Sequence, residues 1–236
     1  MTIRDALVEA YATLGRAGVE TPVLDATVLL AEAMELPKER MLARLPEELP
    51  APDRERFGGF LELRLRGLPV SYIRRKKEFW GLEFAVDERV LVPRPDTEIL
   101  VESAVAFLRG RPPRQRMHDA CTGTGCVAVA CARSLPDLEV SASDLSPEAL
   151  EVFRLNCRRL LGRELDHCRS DLLEAVAGPF DAITAKPPYL TAEEVAQMRG
   201  AGWPEPAMAL DGGADGMSLS RRLVGQAAAR LRGGGG

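Results

Sequence analysis

Two stretches of this 236-residue chain place residue types at spacings that could do chemistry. The first is Cys121-Thr122-Gly123-Thr124-Gly125, a glycine turn before an apolar helical run, followed by an acid, Asp144, about 20 residues further on. Glycines let backbone approach a ligand at a helix N-terminus, and an acid at that distance accepts hydrogen bonds from ribose hydroxyls. Turn, spacing and acid together point to an adenosine-type ligand. Asp171, in Ser170-Asp171-Leu172, adds another acid at a strand end. The second stretch is Lys186-Pro187-Pro188-Tyr189. Two prolines fix φ and leave their carbonyls free, so they form a stiff, acceptor-lined corner beside an aromatic wall that could hold a planar amide or base. The same residues also read as a proline-terminated strand running into a surface loop.

These residues need a scaffold that brings strand ends together. Residues 180–185 have the length and apolar character of a buried parallel strand, which the prolines must stop. From Arg116 the pattern runs strand 117–120, glycine turn, helix 126–135, strand 139–142 ending in Ser143-Asp144, then a helix from Ser146-Pro147 and a strand over 165–169. That order predicts an α/β fold with a doubly wound parallel sheet, whose ligands sit at the carboxyl ends of its strands. The helix after Ser146 carries Leu150, Val152, Phe153, Leu155 and Leu160 on its apolar face.

The preceding residues have a different character. Residues 1–68 predict a small helical bundle. Its first helix buries Ile3, Ala6, Leu7, Ala10 and Leu14, and a second starts at Thr21-Pro22 and runs through Leu24, Val28, Leu29 and Met34. A helical cap of this kind suits recognition of a macromolecular substrate. Residues 69–92 predict a linking hairpin, with Tyr72-Ile73 on one side and Trp80, Leu82, Phe84 and Val86 alternating on the other. Arg74-Arg75-Lys76-Lys77 then reads as a solvated turn, or as a contact for an acidic partner surface or ribosomal RNA. Residues 93–236 form the sheet-bearing domain, opening on Pro93-Arg94-Pro95-Asp96-Thr97-Glu98, where Asp96 or Thr97 is expected to cap a helix.

A net charge of −4 and an isoelectric point near 5.5 give no overall footprint for nucleic acid. No apolar run reaches membrane-spanning length, and Arg4, Asp5 and Glu9 stand where a secretory leader would be apolar, so a cytoplasmic location is expected. Cys121, Cys126, Cys131, Cys157 and Cys168 lack paired spacing, which predicts reduced, mostly buried thiols and no metal site.

Taken together, residues 90–98, Thr122 to Gly125, Asp144, Pro187-Pro188-Tyr189 and Glu205-Pro206-Ala207-Met208-Ala209-Leu210-Asp211-Gly212-Gly213 resemble the protein-glutamine methyltransferase family that modifies peptide chain release factors. The likeness covers nearly the whole chain. It implies a class I methyltransferase domain that takes S-adenosylmethionine and methylates the side-chain amide nitrogen of the glutamine in a Gly-Gly-Gln loop. Release factors are then the protein partners, with a role in translation termination. On this resemblance Cys121, Thr122, Gly123, Thr124 and Gly125 surround the methionine portion, Asp144 binds the ribose, and Asp171 with Leu172 borders the adenine. Lys186, Pro187, Pro188 and Tyr189 form the glutamine pocket, with Lys186, Pro187 and Tyr189 at the chemistry and Lys186 also bordering the cofactor.

Three departures from the family pattern carry consequences. Lys186 stands where the family has an asparagine, and a protonated lysine donates but cannot accept. An ammonium about 4 Å from a sulfonium is repelled by on the order of 4 kcal/mol at an effective dielectric near 20, so reduced transfer is expected. Cys121 and Arg75 each replace a glycine. The chain closes on Gly233 to Gly236 where the family continues into further strands, so strand 180–185 is expected to expose an apolar edge. The alternatives are a non-catalytic module that binds cofactor or release factor, a ribosomal-protein glutamine methyltransferase and a DNA adenine methyltransferase.

Overall fold

A computed structural model describes residues 1–112 and 114–236, which fall into two compact units, Met1–Arg75 and Lys76–Gly236. The first unit is helical throughout, with α1 (Ile3–Arg16), α2 (Pro22–Ala33), α3 (Lys38–Ala43), α4 (Ala51–Leu65) and α5 (Val70–Arg74). A capping box starts α1: Asp5 N–H donates to Thr2 Oγ1 at 3.1 Å, and Thr2 N–H donates to the Asp5 carboxylate at 2.9 Å. Ile3, Leu7 and Leu14 pack with Leu29, Leu30, Met41 and Phe57 into one core, each large side chain contributing about 1.5–3 kcal/mol by burial. Leu24, expected on the buried face of α2, is exposed. Its neighbour Asp25 is buried instead, 2.7 Å from Arg64 Nε.

The chain between the helices and the sheet also differs from expectation. Tyr72 and Ile73 lie in helix α5, and the basic run is no turn: Arg74 pairs with Glu32 at 2.9 Å, Arg75 is left-handed at φ 59°, and Lys76 and Lys77 begin a strand. The hairpin consists of β1 (Lys76–Phe79) and β2 (Leu82–Ala85), antiparallel across Trp80-Gly81. Both turn residues have positive φ, 54° and 65°, as a two-residue hairpin requires, so Trp80 belongs to the turn and not to a strand. Neither Asp96 nor Thr97 caps a helix through its side chain. A short turn at Pro95–Thr97 leads into α6 (Glu98–Arg109), and Glu98 accepts Trp80 N–H at 2.8 Å.

The second unit is built on a parallel sheet of β3 (Arg116–Ala120), β4 (Glu139–Asp144), β5 (Asp166–Arg169) and β6 (Ala182–Ala185) in the order β5-β4-β3-β6. Between strands run α7 (Cys126–Ser134) and α8 (Pro147–Leu161), and after β6 come α9 (Ala192–Gly200) and α10 (Ser218–Ala228). With β4 and β5 laid to one side of β3 and β6 to the other, the switch point at which α/β sheets take ligands falls between β3 and β6. Met117, Val127, Val129, Val140, Phe153 and Leu165 form the core with the hairpin's Phe79 and Phe84. Leu155, placed on the buried face of α8 by its spacing, is exposed.

The expected open edge at β6 is covered. Phe180 N–H donates to Arg230 O at 2.8 Å, Arg232 N–H to Phe180 O at 2.9 Å and Ile183 N–H to Gly236 O at 2.9 Å, so residues 230–236 satisfy that side of the strand. Leu223 and Ala227 of α10 pack on Phe180 and Leu173 behind it.

Candidate active site

A cleft of about 610 Å³ opens at the carboxyl ends of β3, β4 and β5. Cys121, Thr122, Gly123, Thr124, Asp144, Asp171, Leu172, Lys186 and Pro188 all line it, bringing both sequence-marked stretches to one space. Gly125 and Pro187 do not line it. Tyr189 borders a second, smaller cavity of about 190 Å³, which shares Leu91, Arg94, Lys186 and Ala209 with the first.

The glycine turn is held by hydrogen bonds from below. Thr122 N–H reaches back to Ser143 O of β4 at 3.0 Å, and Gly125 N–H closes on Thr122 O at 2.8 Å. The two glycines serve different ends. Gly123, at φ 53°, has open space where a Cβ would stand, whereas a Cβ on Gly125 would overlap the Phe153 ring of α8. Gly125 is therefore a packing position, and its expected approach to a ligand gives way to helix contact. Cys121 takes φ 55° without being glycine, a left-handed conformation that disfavours any Cβ.

Asp144 does more than face the cleft. One carboxylate oxygen accepts Gly123 N–H at 2.8 Å and the other accepts Ser146 N–H at 3.0 Å, which ties the turn after β3 to the end of β4. A carboxylate has about four lone-pair directions, so acceptor capacity remains for a hydroxyl. Burial holds the Asp144 pKa above the usual carboxylate range despite those bonds. Asp171 is salt-bridged to Arg222 of α10 at 2.7 Å, and Leu172 is left-handed at φ 52° with its carbonyl accepting from Ser143 Oγ.

Sequence reasoning missed Asp119, which is 2% exposed, lines the cleft and accepts from Thr122 Oγ1 and Thr184 Oγ1, each at 2.7 Å. Burial pushes its pKa up to about 6. An acid two residues before the glycine turn, near the carboxyl end of β3, was the available signal. Asn156 was also missed. Its amide donates to Ala85 O and Thr124 O and accepts Ala85 N–H, fastening the hairpin to the glycine turn. Burial pushes the Cys121 and Cys126 thiols up to about 12, so neither offers a thiolate to the cleft.

Arg94 acquires the partner its sequence context could not assign. Glu205, its side chain 1% exposed, pairs with the Arg94 guanidinium, accepts Val92 N–H at 2.9 Å and accepts Trp203 Nε1–H at 3.1 Å. The residues after it then turn back onto the diproline corner: Leu190 N–H donates to Leu210 O and Gly212 N–H to Leu190 O. A Cβ on Gly212 would stand 2.7 Å from Tyr189 Cα and 2.8 Å from the Pro188 carbonyl oxygen, so only glycine permits this packing. The Pro188 carbonyl oxygen thus lies close against Gly212. Lys186 Nζ lies 5.3 Å from the Tyr189 ring centroid; burial, with the Arg94 guanidinium adding to it, lowers its pKa.

Among the described residues, no helix is long and apolar enough to cross a membrane. Two family profiles match the chain, one described as the PrmC N-terminal domain over residues 5–74 and one as the methyltransferase small domain over residues 96–201. Curated relatives match along its length. The release factor glutamine methyltransferase of Moorella thermoacetica is 40% identical over 239 residues, covering 100% of this chain and 83% of that protein. Those of Deinococcus radiodurans and Clostridium acetobutylicum are 39% and 32% identical, each covering 100% of this chain and 84% of the relative.

Proposed function

The chain belongs to the release factor glutamine methyltransferase family, and from that membership we propose that it methylates the side-chain amide nitrogen of the glutamine in the Gly-Gly-Gln loop of a peptide chain release factor, acting in the cytoplasm. The methyl donor is S-adenosylmethionine, which supplies an electrophilic methyl on a sulfonium. The observation that supports this reading best is the single cleft lined at one end by Gly123, Asp144 and Asp171 and at the other by Lys186 and Pro188.

The residues present fit such a donor. Asp144 and Asp171 offer acceptors for hydroxyl and amino groups, Leu145 and Leu172 offer apolar surface for a base, and the open space at Gly123 leaves the turn accessible. Five acids line the cleft, Asp119, Asp144, Glu148, Asp171 and Asp211, against three cations, Arg89, Arg94 and Lys186, a balance that suits a cationic ligand. An amide nitrogen is a poor nucleophile, so the acceptor end must hold it in line; alignment of this kind is worth about 7–11 kcal/mol. Tyr189 and the Gly212-backed corner supply a rigid wall for that purpose. Lys186 supplies no acceptor while protonated, and we infer that it reduces transfer to an amide.

Incubation with S-adenosylmethionine and a Gly-Gly-Gln loop peptide, followed by mass spectrometry, is expected to place one methyl on the glutamine at a slow rate. Failure of both this chain and Lys186→Asn to bind S-adenosylhomocysteine by isothermal titration would sink the reading. Binding with no turnover in this chain, and turnover in Lys186→Asn, would instead mark this chain as a binding module.

A further inference from the structure

We infer that the smaller cavity at the β6 corner is a receptor for a carboxylate side chain, with Lys186 as its counter-ion, so that the loop side chain it binds most tightly is a glutamate, in preference to the glutamine that is methylated slowly. The cavity holds about 190 Å³, the volume of a few waters at about 30 Å³ each in the liquid, which suits one side chain. Arg94, Lys186, Tyr189, Leu190, Met198 and Leu210 form most of its wall, which contains two cations and no acid.

The two cations are not equivalent. Arg94 is neutralised by Glu205, whose oxygens are taken up by Arg94, the Val92 amide and the Trp203 indole. Lys186 has no hydrogen bond and no ion pair among the described residues; its neighbour is the face of the Tyr189 ring. A half-buried ammonium that feels Glu205 only at a distance, with no ion pair of its own, is under-compensated, and a carboxylate entering the cavity relieves it. The lowered pKa of Lys186 has that same cause, burial first and Arg94 second.

Hydrogen-bonding capacity points the same way. A carboxamide presents two donors and one acceptor, so part of it meets donors when it faces an ammonium. A carboxylate presents acceptors alone and matches a donor-only wall. A donor-only lysine in this wall therefore sets which group is selected, not merely how tightly it binds. The inference rests on the proposed function for the identity of this cavity as the acceptor's, but the charge match is a property of the cavity itself.

The test uses the full chain and two otherwise identical loop peptides, one centred on Gly-Gly-Gln and one on Gly-Gly-Glu, titrated calorimetrically with and without S-adenosylhomocysteine. The glutamate peptide is expected to bind at least about tenfold more tightly, and added salt is expected to weaken it more than the glutamine peptide. Lys186→Met, which keeps the aliphatic stem, should abolish the preference, and Lys186→Asn should reverse it. Melting curves of both variants establish that they fold. Equal affinities, a preference for glutamine in the unsubstituted chain, no detectable glutamate-peptide binding at millimolar concentration, or a glutamate preference that survives in Lys186→Met would each overturn the inference. S-adenosylhomocysteine binding is read separately. Its absence would strike the methyltransferase reading, while the peptide comparison without it would still decide the charge match.

Discussion

The two ends of the cleft follow opposite electrostatic rules. At the tips of β3, β4 and β5 each acid is answered: Asp119 by two threonine hydroxyls, Asp144 by two backbone amides and Asp171 by Arg222. At the tip of β6 the charged Lys186 has only an aromatic face, while the neighbouring Arg94 is paired with Glu205 through one guanidinium nitrogen. The first end keeps its shape without a ligand because its hydrogen bonds are closed among themselves. The second end has a rigid frame around a charge left open, so its chemistry depends on what enters.

The frame can be broken apart from the charge. Glu205→Ala takes the common acceptor from Arg94, the Val92 amide and the Trp203 indole; Arg94 and Trp203 can turn to water, but the buried Val92 amide is left unpaired, at a cost of about 1–3 kcal/mol. Urea denaturation should show a loss toward the upper part of that range, with Glu205→Gln losing less because it keeps an acceptor for Val92. An unchanged midpoint in Glu205→Ala would mean that the frame does not depend on this residue. Lys186→Asn tests the charge. It should raise methylation of a Gly-Gly-Gln loop by on the order of a hundredfold, somewhat less than the full like-charge repulsion allows. A rate no higher than that of the unsubstituted chain would show that the lysine is not the obstacle.

The answered end was more legible in the sequence than the open one. The turn at Thr122 to Gly125 and the acid at Asp144 obey a spacing set by one strand, one helix and one strand, and local rules capture local spacing. Asp119 escaped because it lies within the span read as the first parallel strand, among Arg116, Met117 and His118, and nothing in the spacing reveals Thr184 as its partner. Arg94 and Glu205 lie 111 residues apart in the chain, beyond any periodicity, so both were noticed as motif residues without being paired. The sheet order was also out of reach of the pattern, since β3 pairs with both β4 and the far later β6. Arg75 and the helix at Val70–Arg74 were misplaced because four consecutive positive charges resemble a turn, whereas Glu32 and the left-handed backbone at Arg75 end a helix there.

Beneath the first end, two buried titrating groups act on stability in opposite directions as pH falls. His118, 2% exposed, lies between Ser141 and Ser143 hydroxyls at 2.9 Å each, and burial lowers its pKa to about 4. The unfolded chain binds that proton from about pH 6.5 downward, so this group removes stability as pH falls from about 6.5 to about 4. Asp119 has a folded pKa raised to about 6, so it adds stability as pH falls from about 6 toward 3.9. In the unsubstituted chain the two slopes largely cancel. His118→Leu should uncover the second slope, gaining about 1 kcal/mol in stability per pH unit between pH 6 and pH 5 relative to the unsubstituted chain. Asp119→Asn should show the reverse slope. Parallel profiles for all three proteins would mean that neither group titrates within this window.

The smallest expected effect separates backbone strain from side-chain burial at the same end of the cleft. Cys121 and Leu172 hold nearly the same left-handed φ, 55° and 52°, and each lines the cleft. A Cβ in that conformation costs about 1–2 kcal/mol, while glycine adds an unfolded-state cost of about 0.5–1 kcal/mol, so relief by glycine nets about 1 kcal/mol or less. Cys121→Gly should therefore raise the melting temperature by about 2 °C for a chain of this size. Leu172→Gly gains the same relief but gives up a side chain only 4% exposed, and losing a buried leucine costs about 2–5 kcal/mol, so its melting temperature should fall. If both variants melted lower, the Cys121 side chain would be contributing packing that outweighs its strain, and the replacement of glycine there would stabilise the turn.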